Sequence, residues 1–181
     1  PYIIGVSYVY HPFALTLVSL VAQIGQLPAS FVWAVLNVAG YGLALHLAMA
    51  LLDCAPPQRM PRSLTPVLVL LVAFAPFWEM AHIGQINGIV LACVVLALYW
   101  SETQRPVLAG IALALGIVLK SSPGVLLLYF LIMGHWRVAV SALAAFAVFS
   151  AFAWAQFGTP VMVDYTAVLP RLGAETHPDF Y

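Results

Sequence analysis

The chain has 181 residues, of which 64% are hydrophobic and only 7% charged, and its six basic and six acidic side chains cancel. An ordinary soluble domain carries about a quarter charged residues, so with a mean hydropathy of +1.03 this chain lacks the polar side chain needed to coat a water-facing surface. A pI near 7.4 and the lack of any Lys/Arg cluster exclude nucleic acid as a partner, because nothing could track a phosphate backbone.

The bilayer is therefore the expected solvent. A helix needs about 20 residues to cross a hydrocarbon core about 30 Å thick. In chain order, residues 2–10 form an aromatic lead-in, and residues 13–27 a short apolar segment that Gln23, Gly25, Gln26 and Pro28 close early. That segment is expected to be interfacial or re-entrant. Residues 30–52 and 137–157 are long enough to cross, whereas 65–80, 86–100, 106–119 and 123–133 fall short. Each short one must borrow flanking residues, tilt little, or end against protein rather than lipid. The expected fold is an all-α, polytopic transmembrane helical bundle, with residues 1–181 forming one domain of about six spans plus the segment at 13–27.

The breaks are well marked. Residues 55–62 make a proline-rich connector, 101–106 a tight turn and 134–137 another. Ser121-Ser122-Pro123 reads as a helix start, a hydroxyl cap with proline in the first turn. The positive-inside bias then places Arg59, Arg62, Arg105 and Arg137 on the cytoplasmic side, and the polar notch at residues 82–88, Lys120 and Arg171 on the other. Trp78, Trp100, Trp136 and Trp154 lie near span ends, as interfacial aromatics do. Gly88 with Ala92, and Ala112 with Gly116, have the four-residue spacing that lets helices approach closely, although such residues are also commonplace in membrane helices.

Cys54 and Cys93 form no framework and are expected to be free thiols. The chain opens on Pro1-Tyr2, with neither an initiator Met nor a basic leader, and closes without an anchoring pattern. It is expected to be an interior piece of a longer membrane protein.

Polar groups kept among apolar helices are costly and mark candidate sites. In the notch His82-Ile83-Gly84-Gln85-Ile86-Asn87-Gly88, the amides of Gln85 and Asn87 offer donors and acceptors, and the glycines let the backbone approach a ligand. Glu79 and His82 precede them. This loop could bind sugar hydroxyls at the outer face, or equally be a junction whose side chains satisfy freed backbone groups. Lys120 is the only lysine; with Ser121 and Ser122 it suits a lipid-borne phosphate at headgroup depth, or is a snorkelling lysine at a helix end. Tyr8, Tyr10 and His11 could stack on a sugar or anchor the chain at the interface. His46 suits an interhelical hydrogen bond better than a metal. No metal-ligand spacing, P-loop or dinucleotide fingerprint is present in the sequence; no cofactor is expected and no residue is assigned as a metal ligand, the sequence leaving any metal requirement open.

Taken together, the chain resembles glycosyltransferase family 87, the polyprenyl-phosphate-mannose-dependent mannosyltransferases of GT-C architecture. The resemblance rests on Tyr10-His11-Pro12 leading to Leu27-Pro28 and a span with Trp33 and Asn37, and on Gly84-Gln85-Ile86-Asn87 opening a helix. It rests further on Ala109-Gly110 followed by Lys120 and Pro123, and on Trp136-Arg137 starting another span. It implies a multi-pass enzyme of the bacterial plasma membrane that takes a hexose, mannose, from a polyprenyl phosphate. The sugar passes to a lipid or glycan hydroxyl at the outer face, with inversion. Gln85, Asn87, His82, Tyr10 and His11 would meet the substrates, and Lys120 with Ser121 the donor phosphate.

The chain departs from the family at the catalytic base. Enzymes of this architecture place an aspartate in the first outer loop, and no Asp precedes Asp53, which falls on the cytoplasmic side. The base is expected upstream of Pro1, Glu79 being a weak substitute, and this segment alone is expected to be inactive. The alternatives are a secondary transporter or a non-catalytic membrane subunit. A transporter would be expected to show an inverted repeat with two matching broken helices, and the sequence has a single notch.

Overall fold

The computed structural model describes residues 11–53 and 86–172. The expected span at 65–80, the connector at 55–62, and Tyr10, Glu79, His82 and Gln85 lie outside the described residues. All regular structure among the described residues is helical: α1 (Pro12–Ala22), α2 (Gln26–Asp53), α3 (Asn87–Glu102), α4 (Pro106–Leu119), a 3-10 turn (Ser122–Gly124), α5 (Val125–Ile132) and α6 (Trp136–Leu172).

Local chemistry sets these bounds. His11 caps α1, its ring nitrogen accepting the Phe13 N–H at 3.1 Å, and Pro12 occupies the first turn, where its missing N–H costs nothing. The segment closes at Gln23, and Gly25, with φ of 91°, swings the chain into α2. Gln26 and Pro28 thus open the next helix rather than closing the first. Two helical turns end alike. Arg105 N–H reaches back to Trp100 O at 2.7 Å with Gln104 in the left-handed region, and His135 N–H to Phe130 O at 2.8 Å with Gly134 there. Both are Schellman-type closures that satisfy orphaned carbonyls. The expected span at 137–157 continues to Leu172, but Gly158 (φ 77°, ψ 175°) breaks the helix at that point. The Trp154 indole N–H bonds Thr159 Oγ1 at 3.0 Å across the break.

Two stretches, Gln26–Leu51 and Trp136–Ala167, are long and apolar enough to cross a membrane, and only 22% of the most apolar window in each is buried. A core helix of a soluble protein would be mostly buried. Here Leu27, Phe31 and Ile132 stand 83%, 71% and 82% exposed. Helices α3 and α4 are shorter, as expected.

Helix α4 lies between α3 and α6, α2 packs on the far side of α3, and α1 rests against α6, α2 and α4. Small residues make the crossings. A Cβ on Gly40 would sit 2.5 Å from the Gly88 carbonyl oxygen, one on Gly88 would overlap the Asn37 carbonyl, and one on Gly110 would overlap Ser141. Backbones touch at these points, which puts the expected role of Gly88 on the α2–α3 crossing. One core cluster joins Ala97, Ala109, Leu113, Phe130, Val138 and Ala142; a second joins Ala14, Ile86, Val90, Cys93 and Leu119.

The array has two ends. At one, the Ser101 hydroxyl meets His135 Nδ1 at 3.2 Å, tying the end of α3 to the start of α6. Arg105 and Arg137 are exposed there, the latter with its guanidinium 5.6 Å from the Trp136 ring centre. Asn87 and Lys120 lie at the other.

Candidate functional site

Because α3 and α4 form an antiparallel hairpin, the first residue of α3 and the residue after α4 meet. Lys120 ends α4 in extended conformation (φ −157°, ψ 128°) while its N–H still closes on the Gly116 carbonyl at 2.9 Å. Its Nζ donates to Asn87 Oδ1 at 2.8 Å. An ammonium has three donors, and an amide oxygen steers it without cancelling its charge. The carboxylates among the described side chains lie elsewhere: Glu102 closes α3 at its far end, and exposed Asp164 follows the Gly158 break.

The pair sits at the rim of a depression of about 330 Å³, toward the small end of ligand pockets, which run about 300–1,000 Å³. Asn87, Lys120 and Ser122 supply its polar side. Val90, Leu91 and Val94 from α3, with Val125 and Leu126 from the start of α5, supply an apolar one. Such a surface suits a molecule that is anionic at one end and hydrocarbon at the other.

The first turn of α3 is held from another helix. Its N-cap is Ile86, whose side chain cannot accept a hydrogen bond. Asn37 of α2 does so instead: its Oδ1 accepts the Gly88 N–H at 3.1 Å, while its Nδ2 donates to the Trp33 carbonyl at 3.0 Å. Asn37 lies well inside α2, so about 16 Å of that helix extends beyond the level of Gly88. The resemblance drew Asn37 into the sequence reading; nothing local to it pointed to Gly88, 51 residues away.

The remaining candidates separate. The His11 ring is buried; its Nδ1 accepts from Phe13 and its Nε2 meets the Ser150 hydroxyl at 3.1 Å, with Phe146 and Tyr165 each 5.2 Å away between ring centres. Since Nδ1 accepts a backbone N–H, the proton rests on Nε2. Burial lowers its pKa below the usual histidine value. In this structure His11 is a joint between α1 and α6, and its expected contact with a sugar gains no support, both ring nitrogens being occupied. The Ser121 side chain makes no cap bond and is exposed, so the expected hydroxyl cap does not form; Pro123 is in the first turn as expected. It is Ser122 that lines the depression. His46 is exposed on α2. Thr16 donates to Gln156 Oε1 at 2.7 Å, a second α1–α6 link that the sequence reading missed. Among the described residues, no group of three His, Cys, Asp or Glu is placed to hold a metal ion.

Among the described residues these features define a helical array shaped for apolar surroundings, with a cation, Lys120, beside an apolar wall. A profile of Glycosyltransferase family 87 matches residues 8–180, and the chain belongs to that family. It is similar to a polyprenol-phosphate-mannose-dependent alpha-(1-2)-phosphatidylinositol mannoside mannosyltransferase of Mycobacterium tuberculosis (strain ATCC 25618 / H37Rv). The two are 33% identical over 155 residues, covering 80% of this chain and 36% of the relative. The chain thus spans little more than a third of that relative's length. No solved structure matches it.

Proposed function

We propose that the chain is part of a multi-pass membrane hexosyltransferase that transfers mannose from a polyprenyl phosphate to a lipid or glycan hydroxyl. The reaction takes place at the outer face of the bacterial plasma membrane. One observation carries this reading: Lys120 Nζ, steered by Asn87 at 2.8 Å, borders a depression with polar and apolar sides. A glycosyl phosphate on a prenyl chain requires both kinds of surface within one molecule's reach. Family membership and the name of the mycobacterial relative support the same donor class.

In this reading the acceptor oxygen attacks C1 of the sugar from the face opposite the phosphate. As that C–O bond forms, the C1–O(phosphate) bond breaks and its electron pair leaves with polyprenyl phosphate. The ammonium of Lys120 stabilises the charge that develops on the leaving oxygens, where a charged donor is worth most. Ser122 adds a hydroxyl donor. The acceptor proton goes to a carboxylate outside the described residues, and Gln85 keeps its expected role as a sugar contact. The grouping of Arg105 and Arg137 at the end remote from Lys120 supports an outward-facing site by the positive-inside bias. Exposed apolar residues on α2, α5 and α6 support lipid around the array.

The test is reconstitution of the full-length protein in liposomes with polyprenyl-phosphate mannose and a glycolipid acceptor. Labelled mannose is expected in the acceptor, with Lys120→Ala raising the donor KM. Transfer that proceeds with an unchanged donor KM in Lys120→Ala would overturn the site assignment.

A further inference from the structure

We infer that Asn37 is a positioning residue of the donor-phosphate site: from α2 it caps the first turn of α3 and thereby fixes the amide that steers Lys120. This rests on the proposed reading of Lys120.

The first N–H groups of a helix have no partner within it, and a side chain at the N-cap usually accepts one of them. Ile86 occupies the N-cap of α3 and cannot. The short Asn37 side chain reaches Gly88 N–H only because α2 and α3 touch backbone to backbone at Gly40 and Gly88. Its orientation is fixed at both ends, since Nδ2 is spent on Trp33 O and Oδ1 must then face Gly88. Asn37 is only 9% exposed, and its neighbours Leu36 and Val38 are apolar. An amide at such a place is costly where leucine or alanine would be free of charge-dipole demands. The residue it constrains directly adjoins Asn87, whose own amide meets the ammonium. A chain of contacts therefore runs from α2 through the start of α3 to the end of α4.

Helix glue alone would explain the bond but would not couple Asn37 to Lys120, and a double-mutant cycle separates the two. The full-length enzyme is assayed in nanodiscs with saturating acceptor, as wild type, Asn37→Leu, Lys120→Ala and the double variant, with Asn37→Asp as the conservative change. Asn37→Leu is expected to raise the donor KM by about five- to tenfold, the scale of a lost helix cap, with kcat little changed. The double variant should be no worse than Lys120→Ala within about twofold. Asn37→Asp keeps the acceptor atom and is favoured beside a helix N-terminus but gives up the donor to Trp33 O, so its KM should lie between those of wild type and Asn37→Leu. If Lys120→Ala raises KM while Asn37→Leu does not, or if the two effects multiply, Asn37 serves packing alone and the inference fails. Should Asn37→Leu not fold, Asn37→Asp decides: a KM as high as that of Lys120→Ala overturns the inference. An unchanged KM in Lys120→Ala, or no transfer by wild type, overturns the donor-site reading and this inference with it.

Discussion

Lys120 and Asn87 stand on the two arms of one helical hairpin, at its open end, and meet at 2.8 Å, ammonium to amide oxygen. A carboxylate at position 87 would hold the ammonium in the same place but neutralise it. An amide orients the cation and leaves its charge for an anionic ligand.

Asn87→Asp is accordingly expected to harm donor use more than Asn87→Ala does. The carboxylate would both pair with Lys120 and repel phosphate, raising the donor KM by about tenfold or more, as a charge-assisted contact is worth about 1.5–3 kcal/mol. Asn87→Ala loses the steering but adds no negative charge. Donor KM values for the two variants, measured on the full-length protein, check the order; the reverse order would show that Asn87 serves the site in some other way.

Two glycines of α2 should respond oppositely to the same substitution. A Cβ on Gly40 would press on the Gly88 carbonyl, while one on Gly42 would meet nothing within 4 Å. Gly40→Ala is expected to destabilise by about 1–3 kcal/mol, the cost of overpacking a close crossing. Gly42→Ala should be neutral or stabilise by about 0.5–1 kcal/mol through helix propensity. Thermal unfolding of the two purified variants in one detergent tests this directly.

His11 precedes α1 and lies outside both long apolar helices. Burial lowers its pKa from the usual 6.5, so the unfolded chain binds the proton more readily than the folded one. The stability it contributes is therefore complete above about pH 6.5 and falls as the pH drops below that toward the folded value. His11→Ala should cost about 1–2 kcal/mol through the lost cap and the lost Ser150 contact, and should flatten this acid dependence. Melting temperatures recorded between pH 5 and 8 for both proteins provide the check.

Features written into neighbouring residues were legible in the sequence. Helix α4 begins and ends where Pro106 and Lys120 predict, because a first-turn proline and a polar stop fix both ends. The two long helices also fall where expected, though α6 runs on past the Gly158 break, beyond the expected end at residue 157. The early closure before α2 was visible in Gln23 and Gly25. Pro28 was harder to place, since proline ends one helix or begins the next with equal ease. What the sequence withheld was pairing across the chain. The Asn37–Gly88, His11–Ser150 and Thr16–Gln156 bonds join residues 51, 139 and 140 positions apart. Such contacts depend on how helices cross, which periodicity does not specify. His11 looked like a sugar contact for this reason: an interfacial ligand and a buried interhelical joint use the same side chain. Lys120 and Asn87 could be assigned to one side from the alternation of loops, but their direct contact needed the hairpin's geometry.

If Lys120 receives the phosphate of the prenyl donor, equilibrium binding of polyprenyl phosphate to the full-length protein depends on that one side chain. Wild type and Lys120→Ala are compared at constant ionic strength. The variant is expected to bind about tenfold or more weakly, in keeping with a lost charge-assisted contact, while its melting temperature stays near that of wild type. Equal affinity in the two proteins would contradict it.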